Sequence, residues 1–171
     1  MKRNQGFTLI ELIIVIVILG ILAVTAAPRF FNFAGDARVS VVNGLKGAVQ
    51  GGAQTIYAKA AIEGILGDSG TTSANAGAVD VVYGYPAATA NGILKAVTLD
   101  AEALAAGAQS KDWVFFPGTG TIHIAQGSFI TGSAAPALTD ITGKNCFLQY
   151  TNATNANTPP VINVVTSGCD N

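Results

Sequence analysis

Residues 1–28 read MKRNQGFTLIELIIVIVILGILAVTAAP, and how this stretch is read decides the rest of the chain. Phe7–Ala27 is an apolar run of 21 residues with one charge, Glu11. At ~1.5 Å per helical residue the run reaches ~31 Å, the thickness of a bilayer's hydrocarbon core. Lys2 and Arg3 precede it on a very short N-terminal side. Cations there favour keeping that end cytoplasmic and sending the rest of the chain across the membrane. Glu11 is the anomaly, because a carboxylate at membrane depth is costly and needs a reason to be there.

Three readings compete for the segment. An ordinary secretory signal has an apolar region of about 7–15 residues followed by a small-residue cleavage site. Val24-Thr25-Ala26 has the composition of such a site, but the run is too long and the acid is misplaced. A plain single-span anchor fits the length and gives Gly6 and Glu11 no role. The third reading uses every residue: Gly6-Phe7-Thr8-Leu9-Ile10-Glu11 resembles the processing motif of type IV pilins. The resemblance implies that residues 1–6 are a leader, removed by a prepilin peptidase/methyltransferase that cuts between Gly6 and Phe7. It implies N-methylation of Phe7, and an apolar run that serves first as inner-membrane anchor and then as the packing helix of a fibre core. It also implies that Glu11, the fifth residue after the cut, aligns subunits by pairing with a neighbour's N-terminal amine. Such pairing recovers part of the cost of the buried charge. The competing reading of Glu11 is a glutamate that snorkels to the headgroups and has no role in assembly.

The 171 residues suffice for one domain with a real core. Half are hydrophobic and 11% are charged. Without residues 1–6, seven cations face ten acids, a net charge of −3, and no Lys/Arg cluster remains. That balance argues against electrostatic nucleic-acid binding. Cys146 and Cys169 form an even pair in an exported head, which reads as a disulfide with 22 residues between its ends. Such a loop is worth ~3 kcal/mol in the chain-entropy model. The alternative is two free thiols.

The helix does not stop at Pro28, which removes one backbone donor and bends the helix without ending it. Val42, Leu45, Val49, Gly52/Ala53, Ile56 and Ala60 recur at three- and four-residue steps, with Phe30 and Phe33 extending the face upstream. Asp36, Arg38, Lys46, Gln50 and Lys59 supply a polar side. Gly44, Gly47, Gly51 and Gly52 each weaken a helix by ~1 kcal/mol relative to Ala and let another backbone come close. A single helix from about Phe7 to Glu63, ending near Gly64, follows. Its first half is apolar all round and must be buried in lipid or protein; its second half is one-sided and packs on a head.

Gly64–Gly77 is turn-rich, Val79–Tyr83 is extended, and Tyr85-Pro86 breaks that run. Residues 89–97 and 98–106 carry weak helical signals, with Thr98 or Asp100 as caps and Gly107 as a stop. Beyond Lys111, residues 113–116, 121–125, 128–131, 146–150 and 161–166 are short β-type runs. The expected fold is α+β: a long N-terminal α-helix packed on a C-terminal antiparallel sheet of about four strands, with 151–160 as a polar loop between the cysteines. This layout of spine, connection, sheet and C-terminal disulfide also resembles a pilin. The domain reading is 1–6 leader, 7–28 transmembrane and fibre-core half, and 29–171 head. ILGILAVTAAPRF, DAR and GLKGA most resemble the mannose-sensitive haemagglutinin type of type IVa major pilin.

No nucleophile–base–acid set is evident, so neither a catalytic residue nor a cofactor or metal is expected. His123, in Thr121-Ile122-His123-Ile124, alternates outward from apolar neighbours and reads as a surface or satisfied histidine. Gly118-Thr119-Gly120 lacks the Gly-Lys-Ser/Thr of a phosphate loop. Asp68, Asp80, Asp100 and Asp112 are scattered, a spacing that neither builds nor excludes a calcium site, and Asn152-Ala153-Thr154 matches a short sequon. Tyr83, Tyr85, Trp113, Phe115 and Phe116 could stack on a carbohydrate, though aromatics alternating in a sheet are more often core. The resemblance therefore implies a structural subunit of a homo-oligomeric helical fibre on a Gram-negative cell. It would be added by a pilus assembly platform and used for adhesion, biofilm formation and contact with a surface or carbohydrate receptor. The rival readings are a pseudopilin of a type II secretion system and an anchored periplasmic binding protein that never assembles.

Overall fold

A computed structural model describes residues 7–71 and 78–170, with the backbone alone for 27–32 and 71. The leader, including Gly6, and part of the 64–77 loop lie outside the described residues. Helix α1 spans Leu9–Ile62 as one uninterrupted element, about 80 Å long at 1.5 Å per residue. It runs through Pro28 without ending, as expected. Its C-terminus closes as a Schellman motif: Ile65 N–H donates to Ala60 O at 2.8 Å, Gly64 N–H to Ala61 O at 3.2 Å, and Gly64 adopts φ +72°. Only the residue at that step must be left-handed, which is why glycine stands there.

The second half of α1 buries the expected stripe. Val42, Leu45, Val49, Ala53 and Ala60 are buried, and Ile56 joins Val79 and Val81 in a satellite cluster. Of the four mid-helix glycines, Gly52 has a clear packing reason, because a Cβ there would meet Val97 Cγ1 at 2.6 Å; at Gly44, Gly47 and Gly51 a Cβ would meet nothing within 4 Å. Upstream, Phe33 is 61% exposed. The Phe30 side chain lies outside the described residues. Arg38 leaves the expected polar side: it is part-buried, donates from Nη1 to Cys169 O at 2.8 Å, and lies 4.5 Å from the Phe129 ring centroid.

The sheet under the helix has five strands and is mixed. β4 is Ala101–Ala103, β6 Trp113–Pro117, β7 Thr121–Gln126, β9 Phe147–Thr151 and β10 Val161–Val165. The order is β10-β9-β7-β6-β4, antiparallel except that β4 runs parallel to β6. The expectation of about four antiparallel strands is thus corrected by one short parallel strand, formed where a helical signal was read. Ala-Glu-Ala has no strong strand preference of its own; its pairing with Trp113–Phe115 overrides local propensity.

Three further local differences follow the same logic. Tyr85–Pro86 (β3) does not break the run but returns along β2 (Asp80–Val82), which also pairs with β1 (Gly70–Thr71). The tight turn between them uses left-handed Tyr83 and Gly84, at φ 52° and 79°. The weak helix at 89–97 is realised as a π-type turn, Ala90–Leu94, capped by Thr89 Oγ1 accepting from Gly92 N–H at 3.0 Å. The run at 128–131 is a 3-10 turn, Gly127–Phe129, leading into β8 (Thr131–Gly132), which pairs with β5 (Gly107–Ala108).

Each face of the sheet is covered. Ile122, Ile124, Leu148 and Tyr150 face α1 and join Val42, Leu45 and Val49 in the main core. Val114, Ala125 and Phe147 face the other way and are covered by Ile130 and by Ile141 of a short helix, α2 (Leu138–Thr142). Cys146 and Cys169 are joined in a buried disulfide, with Cα atoms 4.8 Å apart.

Candidate assembly site on the N-terminal helix

Every residue from Phe7 to Thr25 is exposed, although most are Leu, Ile or Val. The window Leu9–Ala26 is long and apolar enough to cross a membrane by length and composition, and none of it is buried. Eighteen residues rise about 27 Å, close to a bilayer core. The polar groups inside this span are bonded locally. Thr25 Oγ1 donates back to the carbonyls of Leu22 and Ile21 at 3.0 and 3.3 Å, which hides the hydroxyl from an apolar surrounding.

Glu11 is held in the same way. Thr8 caps α1 in an extended conformation (φ −80°, ψ 152°). Its backbone N–H and its Oγ1 hydroxyl both donate to Glu11 Oε2 at 2.8 Å. In return Glu11 N–H donates to Thr8 Oγ1 at 3.3 Å. This reciprocal arrangement is a capping box, and it satisfies donors that every helix N-terminus leaves open. The carboxylate also sits at the positive end of the helix dipole. Thr8 is the residue that the sequence reading leaves out. The Thr-x-x-Glu spacing would have found it, had Glu11 been weighed as a cap as well as an intermolecular charge.

The other residues singled out from sequence lie in the head, far along the chain from this site. His123 is not at the surface: it is 6% exposed, because its row of the sheet's outer face is covered, with the Phe147 ring centroid 5.7 Å away. Nor is it satisfied, since Nδ1 finds no hydrogen-bond partner among the described residues. Burial holds its pKa below the ordinary value. The aromatics form no single platform. Tyr85, Trp113 and Phe115 pack on the helix-facing core, and Tyr85 stacks on Tyr57 at 4.3 Å. Phe116 packs on the opposite cluster.

Gly118-Thr119-Gly120 is the β6–β7 turn, with Gly118 N–H donating to Thr121 O at 2.7 Å. Asn152 Oδ1 accepts from Ala88 N–H at 2.6 Å, so this side chain braces the head. Asp100 pairs with Lys111 at 2.9 Å. Among the described residues no three His, Cys, Asp or Glu gather where a metal ion could be held.

Comparison with known proteins bears on the same segment. Residues 1–27 match the family model described as the prokaryotic N-terminal methylation motif. A stretch of 38 residues is 55% identical to the type IV major pilin protein PilA of Myxococcus xanthus, covering 22% of this chain and 17% of that one. Another, of 48 residues, is 50% identical to the type IV narrow pilus major component PilA5 of Thermus thermophilus, covering 28% of this chain and 41% of that one. The chain thus spans less than half the length of either relative. No solved structure matches the chain. The long N-terminal helix followed by a mixed sheet is consistent with an α+β type IV pilin fold.

Proposed function

We propose that this chain is the major structural subunit of a type IV pilus. The observation that carries the reading is one uninterrupted helix, bare and apolar over Leu9–Ala26 and built into a domain core over Val42–Ala60. A half-helix of that kind needs cover from outside its own chain, first lipid and then copies of itself. The methylation-motif match over residues 1–27 supports a cut between Gly6 and Phe7 and N-methylation of Phe7. Glu11 then aligns subunits by meeting the amine that the cut creates on a neighbour. Pro28, where an intrahelical donor is missing, is the position at which the helix bends or locally opens during packing. The runs ILGILAVTAAPRF, DAR and GLKGA support the mannose-sensitive haemagglutinin type of type IVa pilin on a Gram-negative cell. In that reading the heads form the adhesive outer surface.

Electron microscopy of wild-type and deletion cells tests the reading: fibres should vanish with the gene. Loss of protein secretion with surface fibres intact would instead favour a pseudopilin. Mass spectrometry of the mature protein should find methylated Phe7 as its first residue, and an intact Met1 start would refute the processing step.

A further inference from the structure

We infer that Thr8 is a positioning residue for subunit alignment, holding the Glu11 carboxylate in the one orientation in which a neighbour's amine can take it; this rests on the pilus reading above. A glutamate has among the largest side-chain entropies, so a free carboxylate at an assembly site must be ordered at each docking event. Here the ordering is done in advance. Thr8 fixes Oε2 from two directions, through its backbone N–H and its hydroxyl, each at 2.8 Å. The Glu11 N–H bond to Thr8 Oγ1 closes the ring. Oε1 has no hydrogen-bond partner among the described residues and is left as the acceptor for an ammonium group.

The division of labour between the two oxygens has a chemical logic. A carboxylate accepts several hydrogen bonds, and a charge at membrane depth is tolerable only when its acceptors are filled. With Oε2 filled within the chain, the subunit can wait in the membrane with half of its carboxylate satisfied. The incoming amine of a second copy of this chain, freed at Phe7, completes the other half with a charge-assisted bond. Preorganisation of this kind lowers the cost of docking without adding any contact to the interface. Thr8 survives the cut at Gly6–Phe7, so both of its donors, the backbone N–H and the hydroxyl, remain after processing.

The experiment uses the full chain in cells that co-express wild-type and variant subunits. The fraction of variant in sheared fibres is divided by its fraction in the processed, methylated membrane pool, both read by mass spectrometry. Thr8→Val keeps the shape and removes the hydroxyl, and should lower this ratio about tenfold, the equivalent of one charge-assisted hydrogen bond. Thr8→Ser should stay within about twofold of wild type, because it keeps the hydroxyl that accepts and donates in the box. In a Glu11→Gln background, Thr8→Val should add nothing further. A wild-type ratio for Thr8→Val beside a depressed ratio for Glu11→Gln overturns the inference and leaves the pilus reading standing. An equal fall for Thr8→Val in both backgrounds overturns it too, since a plain helix cap acts regardless of the charge. A wild-type ratio for Glu11→Gln removes the alignment role of Glu11, and the role of Thr8 with it.

Discussion

The two halves of α1 share one backbone and differ in almost everything else. From Leu9 to Ala26 the helix is Leu/Ile/Val-rich on all sides, and none of that window is buried among the described residues. From Val42 to Ala60 its apolar residues fall on one side, and that side is the floor of the main core. Periodicity alone separates them: a stripe finds its cover within the chain, whereas an all-round apolar helix has to find it elsewhere. Each half is therefore stabilised by a different partner, and substitutions should be read out in different measurements.

The sharpest contrast comes from one substitution made in each half. Leu45→Ala opens a cavity in the main core and should lower head stability by about 3 kcal/mol, within the usual range for buried leucines. Leu19→Ala should leave head unfolding in detergent within about 0.5 kcal/mol of wild type, because its side chain is exposed and belongs to none of the core clusters. Denaturant titration followed by near-ultraviolet circular dichroism checks both; equal losses at the two sites would erase the distinction between the halves.

Next in size is the disulfide, which belongs to the head alone. Reduction should cost about 3 kcal/mol in the chain-entropy account and leave membrane retention of the subunit unchanged. Parallel titrations with and without reductant measure the first effect, and fractionation the second.

Arg38→Met tests the border between the halves. It removes the hydrogen bond to Cys169 O and the cation over Phe129, and should cost about 2 kcal/mol. Proteolysis of the C-terminal residues should speed up in step.

The His123 effect is set by pH. Burial depresses its pKa in the fold, so the unfolded chain takes up the proton first. Its contribution is whole above about pH 6.5 and is lost as pH falls below that value. The difference in melting temperature between wild type and His123→Leu should hold constant above about pH 6.5 and shift against wild type as pH falls toward about 4.5. Smallest of all is Lys59→Ala, which removes a partly exposed 3.1 Å pair with Glu63 and should cost under about 0.5 kcal/mol in the same denaturant titration.

Both halves of the helix were readable, the first from the length of an unbroken apolar run and the second from an apolar stripe at helical period over many turns. The four main strands were readable for a similar reason: Trp113–Phe116, Thr121–Ala125, Phe147–Tyr150 and Val161–Val165 are β-branched or aromatic runs between turn residues. Two of the misses are places where a distant segment decides. Ala101–Ala103 is a strand only because β6 lies beside it. His123 is buried because the outer face of the sheet is covered there, and the helix on that face, α2, is a five-residue element too short to leave a periodic mark. At the assembly site Glu11 was legible as a costly charge. Its bond to Thr8 was written in the spacing, but it competes there with an intermolecular reading of the same residue.

The lower border of the bare half has a mechanical consequence. At Gly35 a Cβ would lie within 3.0 Å of Asp170 Cα, and one turn on Arg38 grips Cys169 O. Cys169 is bonded in turn to Cys146, which directly precedes β9, a strand flanked by β7 and β10 within the sheet. Tension applied along the helix from its N-terminal end reaches the head through this clamp before it reaches the main core. From there it passes through a covalent link into an inner strand rather than an edge strand. The pull is then shared as shear among the hydrogen bonds of β7, β9 and β10, so the head should resist stretching far better with the disulfide closed than with it open.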